Sequence, residues 1–385
     1  MLPQAISKIS NRVRLDRNEL AGAFGDIGTD LPLIIGVLAA SGADTASVLI
    51  LYGLMQICSG FWYGMPMPVQ PLKAFAALVI SKKIQPNIIY GGGLTIGISM
   101  LLLSVTGLIN WLARIVPKAV VRGIQLGLGF QLATLALKEY VPAEGISGYI
   151  LSGLCFVVAV ALWGNRKYPA ALLIVVAGLI FSFFFHFSSS PLTSPLSLTF
   201  PQFHIPTQAD MLTGFVLLAL PQIPLSLGNS ILATNQIVQD LYPEKNINVQ
   251  KISFTYSLMN LVSPFFSGIP VCHGSGGMVG HYTFGARTGG SVIIYGSLFL
   301  ITGLLFSQSF QELVKIFPMP VLGTLLFFEG LALALLVRDV TTQKEDLFIA
   351  VLVALACLGL PYGYLVGLIL GTATFYLIKK YKLIK

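Results

Sequence analysis

Two short stretches of this chain place polar side chains among helix breakers, inside otherwise apolar surroundings. The first is PMPVQPLKAFAALV, residues 66–79, with Gln70 and Lys73 next to three prolines. The second is PVCHGSGGMVGHYTFGARTGG, residues 270–290, with His273, Gly274, Ser275 and Gly276. Proline lacks the amide hydrogen and clashes with the preceding turn, so neither stretch can continue a helix. The spacing predicts extended backbone to about Pro71 and helix from Leu72, then extended backbone through Val271 and helix opening at Gly274 to Gly277. A helix that starts in an apolar medium points free N–H groups and a partial positive charge at whatever lies before it. That is anion-binding chemistry. Lys73 would add a formal charge, and Gln70 and Ser275 neutral donors. Gly274 and Gly276 would let an anion approach the backbone. A glycine-rich stretch alone also suits close helix packing. Two broken stretches at matching positions favour the site.

Other polar residues sit in apolar segments. GAFGDIGTDLPLIIG, 22–36, carries Asp26, Thr29 and Asp30, and LALPQIPLSLGNSILAT, 218–234, carries Gln222, Ser226, Asn229 and Ser230. A carboxylate in a span is a functional candidate by default. Asp26 could hold a coupling proton, or pair with Lys73 or Arg287, or simply be solvated at a helix end. Gln222 reads as a neutral ligand donor or a packing amide. His273 reads as a ligand donor, a proton-responsive group or a structural histidine. Glu329, in FFEGLALAL, reads as a proton site or an interhelical hydrogen bonder. His186, His204 and His281 look peripheral. Cys272 and His273 are adjacent and have no acidic orienter, which argues against a nucleophile–base pair. The four cysteines are scattered without CxxC spacing, so buried free thiols fit better than disulfides or a metal site. No cofactor and no metal are expected.

The elements that position these residues follow from composition. Charged residues make up 10% and hydrophobic residues 55% of the 385-residue chain. A soluble domain carries about 25% charge. This composition belongs to a polytopic all-α membrane protein. The net charge of +8 is spread over short loops and termini, which sets orientation in a bilayer rather than nucleic-acid binding. Apolar runs predict spans near 21–40, 46–64, 68–81, 87–112, 115–137, 147–164 and 168–186, then 210–234, 252–267, 271–286, 288–307, 313–337, 346–360 and 362–380. The third and tenth of these about 14 segments are the broken ones. Trp62, Tyr63, Trp111 and Trp163 fall near segment ends and read as interfacial anchors.

The two halves share sequence. YGLMQICSGFWYGMP, 52–66, recurs as YSLMNLVSPFFSGIP, 256–270, and IVPKAVVRGIQLGLGF, 115–130, aligns with IFPMPVLGTLLFFEGL, 316–331. Seven spans per half force the second copy to insert upside down, the inverted repeat of many transporters. The organisation expected is a cytoplasmic segment 1–20, a first repeat 21–186, an extracytoplasmic loop 187–209, a second repeat 210–380 and a cytoplasmic tail 381–385. Lys8, Arg12, Arg14, Arg17, Arg166 and Lys167 then lie on the cytoplasmic side with both termini, in a cell (inner or plasma) membrane. The polar N-terminus lacks the apolar run of a signal peptide.

FGDIGTDLP, PMPVQPLKA, PQIPLSLGNS and PVCHGSGGMVGHYTFGARTG resemble the signature segments of the molybdate transporter family first known from plants and algae. That family is a branch of the sulfate permease superfamily, which shares its fold with uracil permeases. The resemblance covers nearly the whole chain in order. It implies core and gate domains and a substrate held between the half-helices of the third and tenth spans, with help from the first and eighth. Carried over to this sequence, it points to Asp26, Thr29, Gln70, Lys73, Gln222, Asn229, His273, Gly274, Ser275 and Gly276. The STAS domain that sulfate permeases append is not expected in this chain. The expected function is secondary active transport of molybdate by alternating access. Proton coupling is expected because Asp26, His273 or Glu329 could carry the proton. Sulfate is the closest rival. A nucleobase permease would place a carboxylate where Gln222 and Asn229 are neutral. An anion channel or a membrane-embedded enzyme is further off, since no HExxH or paired acidic metal motif occurs. A homodimer is expected by analogy with fold relatives only.

Overall fold

The computed structural model describes residues 12–162, 170–185 and 196–381. Trp163, His186, Lys8, Arg166 and Lys167 lie outside them. The first half runs α1 (Arg17–Ala23), α2 (Ile27–Ser41), α3 (Thr45–Tyr63), β1 (Val69–Pro71), α4 (Lys73–Lys82), α5 (Pro86–Val105), α6 (Leu108–Ile115), α7 (Lys118–Leu135), α8 (Gly145–Ala161) and α9 (Ala170–Phe185). The second half runs α10 (Gln208–Leu241), α11 (Val249–Val262), β2 (Val271–His273), α12 (Ser275–Thr283), α13 (Gly290–Leu305), α14 (Ser307–Ile316), α15 (Met319–Leu335), α16 (Lys344–Gly359) and α17 (Gly363–Tyr381). Helix α10 contains two π-helical stretches, Phe215–Ala219 and Ser226–Leu232, on either side of its two prolines.

Among the described residues, five helices are long and apolar enough to cross a bilayer, or up to seven if the bent pairs α1–α2 and α13–α14 each count as one. That is fewer than the about 14 segments expected. Several segments fall short of the roughly 20 residues a span needs. The broken helices α4 and α12 have only 10 and 9 residues. Large apolar side chains face outward, such as Leu102 at 59% and Leu355 at 63% exposure, as lipid contact requires. Trp62 and Trp111 are exposed as expected of anchors, but Tyr63 is not: it is buried, and its hydroxyl bonds Thr255 Oγ1 at 2.5 Å.

One expectation is corrected. The fold is not purely helical, because the two extended stretches pair with each other. β1 and β2 form a two-stranded antiparallel ladder with Gln70 opposite Cys272. Backbone polar groups in an apolar interior need partners, and outside a helix a second strand supplies them.

The repeat positions this ladder with matched side chains. Gln56 Oε1 accepts from Val69 N at 3.0 Å, and its Nε2 donates to Val69 O at 2.8 Å. Asn260, at the corresponding place in α11, does the same to Val271 at 2.9 and 2.7 Å. Ser59 Oγ donates to Met67 O, and Ser263 Oγ to Ile269 O. The ends of the repeat differ. Gly64 takes a left-handed conformation to stop α3, whereas α11 passes into a 3-10 turn, Ser263–Phe266, stopped by left-handed Ser267.

Helices of the two halves interlock. α3 crosses α13 where Gly53 meets Gly296 and Gly60 meets Gly289; a Cβ at Gly60 would lie 2.6 Å from Gly289 O. Buried Glu19 accepts from the N–H groups of Arg287, Thr288 and Ser291 and so caps the entry to α13. Residues 196–207 run without helix across the opposite end of this pair, with Thr199 N donating to Leu304 O, Gln202 N to Ser47 Oγ and His204 N to Phe265 O. His204 also packs its ring against Tyr90.

Candidate functional site

The ladder turns two helix starts toward one cavity of about 390 Å³. Its wall contains all ten residues expected around a substrate: Asp26, Thr29, Gln70, Lys73, Gln222, Asn229, His273, Gly274, Ser275 and Gly276. Glu329 is there too, with Gly25, Gln125, Ser230 and Cys272. The volume lies in the range of small-ligand sites.

α12 begins at Ser275 with no side-chain cap on it. Its first intrahelical bond is Met278 N to Gly274 O. The N–H groups of Ser275, Gly276 and Gly277 therefore have no protein acceptor among the described residues, which is the anion-binding state of a helix start. The three glycines do different things. A Cβ at Gly274 would run into the Gln70 side chain, and one at Gly277 into Asp26, so both make room for packing. A Cβ at Gly276 would meet nothing within 4 Å, so this glycine alone opens onto free space.

α4 is arranged differently. Leu72 precedes it, as Gly274 precedes α12, and Lys73 takes the place of Ser275. Gln222 Oε1 accepts from Phe75 N at 3.0 Å, and its Nε2 donates to Ser226 Oγ at 3.1 Å. Gln222 thus caps α4 through its carbonyl, and one of its two amide hydrogens goes to Ser226. Lys73 Nζ lies 2.8 Å from Glu329 Oε1 across the cavity.

Asp26 is buried at the break between α1 and α2 and accepts from Gln70 Nε2 at 2.5 Å. Its direct partner is an amide, not Lys73 or Arg287. The Arg287 guanidinium instead stacks over Tyr282, 3.6 Å from the ring centroid, and donates to the Tyr282 and Ala286 carbonyls. One turn along lies Asp30, fully buried, in contact with the Tyr52 hydroxyl. That hydroxyl also lies 2.7 Å from Val69 O and receives Gln56 Nε2 at 3.1 Å. A phenol has one hydrogen, but here it faces two acceptors. Its hydrogen serves Asp30 or Val69 O, and both contacts would form at once with a hydrogen on the Asp30 carboxyl.

His273 is fixed by the protein. Its Nε2 bonds Thr255 Oγ1 at 2.9 Å, its Nδ1 bonds Pro68 O at 3.1 Å, and Tyr63 packs edge-on against the ring. Both nitrogens are used, so the ring presents no free donor to the cavity. His281 is not peripheral but fully buried against Tyr295, with neither ring nitrogen partnered among the described residues. Cys155, Cys272 and Cys357 are buried and Cys58 exposed, all as free thiols. No group of three or more His, Cys, Asp or Glu able to hold a metal occurs among the described residues.

Sequence reading missed Gln125, Gln56 and Asn260, and it named Asp30 only as a carboxylate within the first span. Gln56 and Asn260 carried a signal, an amide at the same place in both copies of an apolar repeat.

Residues 18–132 and 214–333, more than half the chain, match the family described as "Molybdate transporter of MFS superfamily". The chain belongs to this molybdate transporter family. It is 33% identical to Molybdate transporter 2 of Arabidopsis thaliana, over 95% of this chain and 90% of that one. Its fold is that of anion transporters with far lower identity. The transmembrane domain of the cyanobacterial bicarbonate transporter BicA superposes with a TM-score of 0.65 at 14% identity, covering 93% of this chain and 96% of that one. SLC26A9 superposes with a TM-score of 0.72 at 13% identity, covering 95% of this chain and 65% of that one. This member of the family is thus an integral membrane anion transporter and not an enzyme.

Proposed function

We propose that this transporter carries molybdate through the central cavity by alternating access, with protons as the coupling ion. The observation that carries the reading is the convergence of three free N–H groups at the start of α12 with the ammonium of Lys73 on one small cavity. A dianion there meets a helix dipole, a formal charge and neutral donors together. Lys73 is held by Glu329 until an anion competes for it. The carboxylates of Asp26 and Glu329 face the same space, and a hydrogen on Asp30 would add a proton within the first span. Asp26 and Glu329 are therefore the coupling candidates, and the occupied ring of His273 removes it from that role.

The matched clamps of Gln56 and Asn260 support a seven-plus-seven inverted repeat. In it, the segments containing α1–α5 and α10–α13 form a core, and those containing α7–α9 and α15–α17 a gate. Both termini then face the cytoplasm, the membrane is the cell (inner or plasma) membrane, and the assembly is a homodimer.

The test is uptake of radiolabelled molybdate into proteoliposomes with sulfate, tungstate and uracil as competitors. Saturable uptake, driven by an inward proton gradient, blocked by tungstate and insensitive to excess sulfate is expected. Strong inhibition by sulfate would reassign the substrate to sulfate, which has the same charge and shape. Uptake indifferent to an uncoupler would remove the proton.

A further inference from the structure

The donors described so far all come from one side of the cavity. Gln70, Lys73, Ser275 and the start of α12 belong to the elements around the ladder. The opposite wall is made by α7 and α15, and its charged member, Glu329, would repel an oxyanion. That wall also carries Gln125, a fully buried glutamine. Gln125 Oε1 accepts from Arg122 Nη1 at 2.8 Å. Arg122 is itself held by Asp339, which also has Lys118 Nζ at 3.6 Å. Because a guanidinium has donors only, it fixes which end of the amide faces it. The carbonyl must point at Arg122, and the NH₂ must point away. That Nε2 is buried and has no partner among the described residues. A buried donor without an acceptor is destabilising and calls for an explanation. An oxyanion in the cavity supplies one.

We propose that Gln125 is the donor through which the α7–α15 wall grips the bound oxyanion, and that Arg122, braced by Asp339, is the positioning residue that keeps its amide turned inward. This rests on the reading of the cavity as the oxyanion site. Its consequence is that the wall gains an attractive contact only when the cavity is loaded. Closure of the wall over the site is then tied to occupancy, and an oxyanion that sits too low to reach Nε2 loses that contact.

The test is molybdate binding to the purified full-length protein, by calorimetry in detergent, for wild type, Gln125→Glu, Gln125→Leu, Arg122→Gln and the double variant Gln125→Leu/Arg122→Gln. Gln125→Glu keeps an acceptor for Arg122, so it folds, while it turns the donor into a negative charge. A loss of about 100-fold or more is expected for it, and about 10-fold for Gln125→Leu. Arg122→Gln frees the amide to turn and weakens binding a few-fold. That change disappears in the double variant, because an amide that is gone cannot be misoriented. Wild-type binding with Gln125→Glu and Gln125→Leu equal to it overturns the role of Gln125 and leaves the site standing. An Arg122→Gln loss that persists in full in the double variant makes Arg122 merely structural and overturns its positioning role. Wild type that binds neither molybdate nor sulfate overturns the site and this inference together.

Discussion

Tyr52 and Tyr256 hold the same place in the two copies of the repeat, and they keep different company. Tyr52 touches a carboxyl, Asp30, while Tyr256 bonds a hydroxyl, Ser226 Oγ, at 2.8 Å. The pattern extends outward. Asp26, one turn before Asp30, answers to Gln222, one turn before Ser226. Lys73 at the start of α4 answers to Ser275 at the start of α12. The scaffold that holds the ladder is duplicated nearly atom for atom, while at these matched positions the charged side chains lie in the first copy, and the carboxylate that pairs with Lys73, Glu329, comes from the second half. Geometry is thus shared between the halves, while the side chains at the matched positions differ in charge. At the position of Lys73 the second copy has the bare helix start of α12, with no charged side chain on it.

The most disruptive break in this comparison is removal of the charge. Lys73→Ala should lower molybdate uptake by about 100-fold or more, because it leaves Glu329 unpaired beside the anion. Adding Glu329→Gln should restore thermal stability without restoring uptake. Normal transport by Lys73→Ala would mean that the bare helix start of α12 suffices.

Next come the two clamps, where the halves should behave alike. Asn260→Leu leaves the buried N–H and C=O of Val271 without partners, and Gln56→Leu the N–H of Val69, whose C=O keeps the Tyr52 hydroxyl; each loss is roughly 1–5 kcal/mol. Melting temperatures in detergent should fall for both. A large fall for one and none for the other would show that only one half supports the ladder.

A smaller and asymmetric effect is expected at the two tyrosines. If the Asp30 carboxyl holds a hydrogen for Tyr52, Asp30→Asn keeps one, so its stability should stay near wild type while Asp30→Ala loses about 1–3 kcal/mol. If Asn is as damaging as Ala, the carboxyl holds no such hydrogen. Ser226→Ala, which removes an ordinary neutral bond, should cost only about 1 kcal/mol. The mildest change is Gly276→Ala, which has free space for its methyl. Stability should be unchanged and the apparent affinity for molybdate lower by a few-fold, whereas Gly274→Ala must displace Gln70 and should destabilise.

Much of this site was legible in the sequence because helix breakers and buried charges are local signals. Pro66, Pro68 and Pro71 mark one break and Gly274 to Gly277 the other, and the breaks alone predict where free amides converge. What stayed hidden depends on partners far along the chain. That Gln222 caps α4, that Lys73 reaches Glu329 and that His273 is consumed by Thr255 and Pro68 are facts about contacts between distant residues. A polar residue in an apolar helix announces that it needs a partner but not which one. The same ambiguity hid Gln125, whose carbonyl and amide ends have separate fates. The strand pairing was hidden for a simpler reason: three residues of extended chain have no periodicity to read.

The ladder also has a consequence for how the chain is made. Gln70 lies opposite Cys272, about 200 residues further on. At a synthesis rate of 5–20 residues per second, β1 waits roughly 10–40 s before its partner exists. Through that interval the first half holds its prolines, Lys73 and two carboxyls without the strand, the α13 crossing or the Glu329 counter-charge that will later cover them. The first half cannot mature before the second is delivered, so the insertion machinery, or whatever attends it, must keep an unfinished polar edge out of lipid until the last third of the protein arrives.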